Sequence, residues 1–427
     1  MKQNISFYTF GCRLNQSETA SIENSFDKSD YRVVDLSSAS DIIVINTCTV
    51  TEGGDADTRH LVNKINRLNP KARIALVGCQ AQVQKEKLAD LSNVKWIVGN
   101  QRKMDLRSVF DEYPNPLTAQ LVTPTIEREP FTSPIASIDH GHTRANIKIQ
   151  DGCDFFCSFC EIPYARGRAR SRVFDDILLE ANTLVEAGYK ELILTGINIG
   201  TYNNSDKCLL DVIDALEQLE GLQRIRISSI EPTTIPAALI DRMGEGKLCR
   251  YLHIPLQSGH DDTLTAMKRK YSLKQFSDFI NDAYRKVPQI CIGTDVIVGF
   301  PGETEAHFKH TVDFLREAPI HYFHVFSYSP RHMAKSRDLD DIPRDIIYAR
   351  SQELQELSAR KRRIFQESLL GTVQDVLFEK GKDGVFPGLT DHYVRVKVQH
   401  HADIRNQILP VKFSHIENQA VIGHLNE

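Results

Sequence analysis

The chain has 427 residues, 41% hydrophobic and 25% charged, with a formal net charge of −4. That mix belongs to a soluble globular protein with room for roughly two to four domains of about 150 residues, and it excludes a disordered or collagen-like chain. Near-neutral charge names no partner, so any nucleic-acid surface has to be a local patch.

From residue 1 to about 110, short β-branched runs alternate with helical patterns. Ile5–Phe10, Arg32–Leu36, Ile42–Ile45, Arg73–Val77 and Lys95–Val98 read as strands, with helices at Asn15–Phe26, Asp57–Leu68 and Gln82–Leu91 between them. This alternation predicts an α/β unit built on a doubly wound parallel sheet. Pro114, Pro116, Pro124, Pro130 and Pro134 mark an extended connector. Alternation then resumes, with strands at Ile147–Gln150, Glu191–Thr195, Arg224–Ser228, Tyr251–Ile254, Cys291–Val298 and Tyr322–Tyr328, and a long charged helix from Arg344 to about Leu369. Repeated strand-helix units of this kind predict a complete or partial (β/α) barrel. Val373–Phe378, Tyr393–Val398 and Gln407–Val411 follow as strands with no helical pattern, which predicts a small all-β barrel. The expected units are therefore 1–115, a linker 116–138, a core 139–370 and a terminal module 371–427.

No apolar run reaches the roughly 18 residues of a membrane span, so no membrane partner is expected. Met1 to Asn15 contains no signal-peptide core, and the chain is expected in the cytoplasm. In that reducing compartment the nine cysteines, an odd count, read as metal or redox ligands before disulfides. Cys12, Cys48 and Cys79 each follow a predicted strand, on the carboxyl edge where parallel sheets bind ligands. They are expected to converge on one cluster; the plainer alternative is three small buried hydrophobes. Cys153-Asp-Phe-Phe-Cys157-Ser-Phe-Cys160 sets three thiols in one loop after the first barrel strand. Three cysteines can hold a cubane iron-sulfur cluster and leave one iron open. Structural zinc takes four ligands, and no fourth follows at a suitable spacing. Cys208, Cys249 and Cys291 read as structural.

The three-cysteine loop resembles that of the radical S-adenosylmethionine superfamily. With the flanking units, and with Asn46-Thr-Cys-Thr-Val-Thr51, Gly78-Cys-Gln-Ala-Gln82, Cys160-Glu-Ile-Pro-Tyr-Ala-Arg-Gly-Arg-Ala-Arg-Ser-Arg172, His253-Ile-Pro-Leu-Gln-Ser-Gly259 and Gly299-Phe-Pro-Gly-Glu-Thr304, the chain resembles the methylthiotransferase family over nearly its whole length. The resemblance implies two 4Fe-4S clusters and S-adenosylmethionine. One cluster, on Cys153, Cys157 and Cys160, would cleave the sulfonium to a 5'-deoxyadenosyl radical; the other, on Cys12, Cys48 and Cys79, would carry the sulfur. Phe159 would pack near the adenine, and the segment of Thr195, Gly196 and Asn198 would meet the methionyl amine. Thr49-Val-Thr51 resembles the branch that adds methylthio to carbon 2 of N6-threonylcarbamoyladenosine beside the tRNA anticodon. A carbon without an acidic proton calls for cofactor radical chemistry. The implied partners are tRNA, a flavodoxin- or ferredoxin-type reductant and a sulfur donor. Two other readings stand beside this one: the same chemistry on isopentenyladenosine tRNA or a ribosomal-protein aspartate, and a non-catalytic iron-sulfur RNA-binding protein.

Residues 371–427 resemble a TRAM domain, yet carry six Lys and Arg against seven Asp and Glu. Phosphate contact needs concentrated cations. It is expected instead from Arg166, Arg168, Arg170 and Arg172 beside the cluster loop. Arg360-Lys-Arg-Arg363 and Lys268-Arg-Lys270 read equally as basic patches or solvated faces. The stretch Tyr328–Met333 departs from the acidic, glycine-rich continuation of the family.

Overall fold

A computed structural model describes residues 2–27, 29–135 and 143–426. The N-terminal unit is a sheet of six parallel strands: β1 (Gln3–Thr9), β2 (Tyr31–Val33), β3 (Ile42–Thr47), β4 (Arg73–Gly78), β5 (Val94–Val98) and β6 (Gln120–Val122), in the order β2-β1-β3-β4-β5-β6. Every residue of β3 is buried. Its alternate side chains feed two cores, Ile42 and Val44 with Ile5 and Trp96 on one face, Ile43 and Ile45 with Ile74 and Leu76 on the other. Burial on both faces is why the strand reads as a continuous apolar run. Each such side chain stabilises the sheet by about 1.5–3 kcal/mol, which fixes the loops at its carboxyl edge. Two helices leave that edge: α1 (Arg13–Asn24), whose N-cap is Cys12, and α2 (Glu52–Leu68), capped by Thr51 Oγ1, which accepts from Gly54 N at 3.2 Å. β6 lies inside the span expected to be linker. That stretch instead completes the sheet, because Trp96–Val98 of β5 leaves a ladder open to pair with Gln120–Val122.

The central unit holds six parallel strands in two halves: β7 (Arg144–Lys148), β8 (Glu191–Thr195) and β9 (Arg224–Ile227), then β10 (Tyr251–His253), β11 (Cys291–Val298) and β12 (Tyr322–Ser327). The halves meet through the Ile225–Leu248 bridge and the bond from Ile230 N to His253 O at 3.0 Å. One core runs through both, from Ile147 and Leu194 to Val296 and Phe323, so the architecture is a partial (β/α) barrel. The long helix α3 (Arg344–Ser368) packs on β12, where Ser358 Oγ accepts from Phe323 N at 2.8 Å and donates to Phe323 O at 2.7 Å.

β13 (Val373–Phe378), β14 (Val385–Thr390), β15 (Arg395–Gln399), β16 (Ile408–Glu417) and β17 (Ala420–Leu425) close a small barrel in the order β13-β14-β15-β17-β16. It is seated on the central unit: Arg224 Nη1 donates to Leu389 O at 3.0 Å, Arg226 Nη1 to Asp391 O at 2.7 Å, and Arg250 Nε pairs with Asp391 Oδ2 at 2.6 Å. Cys249 and Cys291 are buried in this junction with Tyr251, Tyr322 and Phe378. Cys208 is not a core residue; it is exposed and caps the helix Leu209–Glu217. Among the described residues no helix is long and apolar enough to cross a membrane.

Candidate active site

Strands β1, β3 and β4 are neighbours, so the loops after them meet on one edge and carry Cys12, Cys48 and Cys79 together. The approach is close. Gly11 has φ +97°, and a Cβ there would stand 2.9 Å from Cys48 Sγ, a place only glycine can fill. Burial, with the charges of Cys79 and Cys12 beside it, pushes the Cys48 thiol up to about 11.

The second set rides the loop after β7. Gly152 turns it with φ +73°, where a Cβ would strike the Arg168 carbonyl at 2.1 Å. Phe156 holds φ +50°, a left-handed conformation that costs a bulky side chain about 1–2 kcal/mol. Its ring is wedged edge-on against Tyr164 at 5.7 Å and under Arg168 at 5.1 Å. Ser158 N donates to Met267 O at 3.0 Å, and Arg269 Nη1 donates to Cys157 Sγ at 3.2 Å. Arg269 also pairs with Glu231, so the expected basic patch at 268–270 has its central guanidinium buried against the loop. Burial pushes the Cys153 thiol up to about 11, and those of Cys157 and Cys160 rise for the same reason.

Two sets of contacts join these loops. Thr49 Oγ1, next to Cys48, donates to Glu161 Oε2, next to Cys160, at 2.8 Å. Arg331 lies over that bond: its Nη2 donates to Thr49 Oγ1 at 3.0 Å and to Asp55 Oδ2 at 2.6 Å, and its Nε stands 3.4 Å from Glu161 Oε2. The second link is Arg166, whose Nε donates to Cys79 Sγ at 3.2 Å and whose Nη2 donates to Asn15 Oδ1 at 2.6 Å. Arg166 also pairs with Glu18 at 2.9 Å and Asp151 at 3.1 Å, inside a buried network shared with Lys103 and Lys148. Burial alone would raise the Glu18 carboxyl; Arg166, Lys103 and Lys148 outweigh it and hold that carboxyl well below the usual range.

The arginine run is thereby corrected. Arg166 is buried in that network, Arg170 pairs with Asp151 at 3.1 Å, and Arg172 is buried against Asp176 and Glu180. Desolvated guanidinium groups with carboxylate partners have no face for phosphate. Only Arg168 is exposed, paired with Asp154.

Between the Cys12 loop, the central strands and the terminal barrel lies a cavity of about 750 Å³, lined by Cys12, Thr195, Gly196, His253, Tyr322 and Tyr393 among others. All three units supply a wall. Gln150 Oε1 accepts from Ile197 N at 3.0 Å and Asn198 N at 2.8 Å, which fixes the turn after β8. Asn198 is buried; its Oδ1 accepts from Thr234 Oγ1 at 2.9 Å while its Nδ2 has no partner. Phe159 is not on the cavity wall; it packs against Met267, Ile297, Phe300 and Tyr328.

Residues 147–315 match the family described as the Radical SAM superfamily, and residues 4–99 match Uncharacterized protein family UPF0004. The threonylcarbamoyladenosine tRNA methylthiotransferase MtaB of Aquifex aeolicus (strain VF5) is 35% identical over 405 residues, 94% of this chain and 98% of that relative. The chain belongs to the radical SAM methylthiotransferase family. The protein of the same name from Bacillus subtilis (strain 168) is 34% identical over 423 residues, 96% of this chain and 93% of its own length. Among solved structures, the radical S-adenosylmethionine methyltransferase TsrM from Kitasatospora setae, with cobalamin and a 4Fe-4S cluster bound, aligns with a TM-score of 0.56 at 14% identity, covering 77% of this chain and 75% of that one. That likeness is one of fold.

The family uses 4Fe-4S clusters and S-adenosylmethionine, and the donor sets fit clusters better than single ions. Among the described residues no three cysteine sulfurs all lie within 4.8 Å of one another. A lone ion gathers its ligands more tightly than that, whereas a cubane spreads its thiolates over separate irons. Buried thiols that resist ionisation beside one another need the positive charge of bound iron to do so. The unpartnered Asn198 Nδ2 is a spare donor on the segment expected to meet S-adenosylmethionine. The Thr49–Glu161–Arg331 link escaped the sequence reading because its members are far apart in the chain and carry no spacing signal.

Proposed function

We propose that this enzyme adds a methylthio group to carbon 2 of N6-threonylcarbamoyladenosine beside the anticodon of tRNA. One observation carries the reading: the loops of the two three-cysteine sets are tied together through Thr49, Glu161 and Arg331, and Cys12 of the first set lines a cavity that takes a wall from every unit. The Aquifex and Bacillus relatives, which bear that substrate in their names, support the choice of branch. Cys153, Cys157 and Cys160 would hold one cluster with Thr195, Gly196 and Asn198 beside its S-adenosylmethionine, and Phe159 would brace the loop from behind. Cys12, Cys48 and Cys79 would hold the other. When bound, these groups supply the one-electron chemistry and the sulfur that an unactivated aromatic C–H bond requires. The chain's own part is to fix both loops with Arg166 and Arg331, to place hydrogen-bond donors on Cys79 and Cys157, and to exclude water with Tyr251, Tyr322 and Tyr393.

RNA would approach through a groove of about 2100 Å³ between α1, β7 and the terminal barrel, where Arg32, Lys380 and Arg395 line the surface. These exposed cations replace the buried arginines as phosphate contacts. A low-potential protein reductant of the flavodoxin or ferredoxin type and a sulfur donor complete the reaction, in the cytoplasm.

Nucleoside mass spectrometry of cells lacking this protein tests the assignment: loss of the methylthio derivative of threonylcarbamoyladenosine is expected. Its persistence where no second such enzyme exists refutes the assignment, and loss of the isopentenyladenosine derivative instead moves the protein to that branch. Cys48→Ala is expected to keep 5'-deoxyadenosine formation and to lose methylthio transfer. Equal loss of both would refute two separate clusters.

A further inference from the structure

The basic run Arg360–Arg363 divides on folding. Arg360 and Arg363 remain on the exposed face of α3. Lys361 turns inward, and its Nζ donates to Arg316 O at 2.9 Å and Ala318 O at 2.7 Å. Arg362 lies across the Tyr322 ring at 5.0 Å and lines the same cavity as Cys12 and Gly196. The N-terminal unit adds Arg13, which follows Cys12 and lines the same cavity; it donates to the Tyr393 hydroxyl, with its guanidinium 5.4 Å from that ring. His253 and His324 line the same cavity, ring centroids 5.6 Å apart. Burial lowers the His324 pKa, Asp295 opposes that, and the charges of His253, Arg362 and Arg13 add to the lowering, so both guanidinium groups act on this one ring.

The anionic side of the ledger is short. Asp295 is the one carboxylate among the described residues lining the cavity, and it stands 3.3 Å from His253 Nε2. Among the described residues neither Arg13 nor Arg362 has a carboxylate within ion-pair distance. Two guanidinium groups without a counter-ion, facing a cavity with aromatic walls, are costly in isolation and are compensated when an anion enters.

We propose that Arg362 and Arg13 form an anion subsite that recognises the carboxylate on the N6 substituent of the substrate base. The proposal rests on the tRNA reading above and deepens it. A threonylcarbamoyl group carries a carboxylate and a hydroxyl, whereas an isopentenyl group is hydrocarbon and would leave both guanidinium groups without an anion. Discrimination of this kind, by a polar site against an apolar analogue, is the strong kind. An RNA phosphate presents the same anionic oxygens, so the test separates the two sources.

The reconstituted holoenzyme is titrated by fluorescence anisotropy with three labelled anticodon stem-loops, carrying threonylcarbamoyladenosine, its carboxamide analogue, or unmodified adenosine. The wild type should bind the first more tightly than the other two. Arg362→Leu should weaken the first by on the order of 30-fold and abolish the preference, with kcat/KM for methylthio transfer falling in parallel. Arg362→Lys, which keeps the charge but not the planar fork, should retain part of the preference and guards against misfolding. Equal weakening of all three stem-loops by Arg362→Leu would overturn the carboxylate assignment in favour of a backbone phosphate. An unchanged preference would overturn the subsite altogether. Wild-type holoenzyme that modifies none of the three RNAs would overturn the tRNA reading and the subsite with it.

Discussion

Arg166 shows what a single residue's surroundings decide. In sequence it opens an alternation of arginines that looks like a comb for phosphates. In the fold Arg166 ends a short helix, Ile162–Arg166, while Arg170 begins a two-residue strand, so the alternation never shares one extended face. Its carboxylate partner Glu18 lies 148 residues away on α1, beyond any local pattern. The convergence of Cys12, Cys48 and Cys79 was legible because each follows the end of a strand in one parallel sheet; the charges were not, because burial alone decides whether a guanidinium meets water or a carboxylate. Replacing Arg166 with Met leaves Glu18 and Asp151 short of a cation, and unfolding measurements should show a loss of about 3–5 kcal/mol. The slope of log Kd against log salt for tRNA should not change, as it would if a phosphate contact had been removed.

At the scale of elements, strands β1 to β5 and all six barrel strands stand where the hydrophobic runs put them, with ends displaced by a few residues. The terminal barrel was read less completely. β14 was missed because Pro387 and Gly388 interrupt its pattern, yet a Cβ at Gly388 would lie 2.4 Å from Val376, which shows how tightly the small barrel curves there. Just past β14, His392 is fully buried between Thr390 Oγ1 and Gln374 Oε1, each 3.1 Å away. Burial lowers its pKa to about 4, against the partial opposition of Asp391. The unfolded chain takes up a proton near pH 6.5 that the folded barrel refuses, so stability is full above that pH and falls as pH drops towards 4. The loss approaches about 3 kcal/mol at the lower end. Denaturant unfolding of His392→Gln across that window should give a visibly flatter pH profile than the wild type, and the variant's residual slope should come from His321, also lowered to about 4 by burial.

For the whole molecule, the informative contact is the one the family resemblance left blank. The loop Tyr328–Met333 departs from the expected continuation, and it carries Arg331, which binds Thr49 and Asp55 of the N-terminal unit and Glu161 of the central one. Three domain-like units were legible from composition and alternation; their mutual placement was not, since it rests on pairings between residues far apart in sequence. Arg331→Leu strands two carboxylates at this junction and should cost about 3–5 kcal/mol in unfolding. Methylthio transfer should fall further than 5'-deoxyadenosine formation, because only transfer needs both loops in register; equal declines would mean that the junction merely supports the fold.

The cavity's third wall has a consequence for dissecting the enzyme by truncation. Tyr393, Arg395 and Lys397 of the terminal barrel line the chamber together with Cys12 and the Thr195–Gly196 turn. Cutting away residues 371–427 would therefore remove a side of the reaction chamber along with a module, so that loss of RNA grip and loss of chemistry would arrive together. Point substitutions within that wall separate the two.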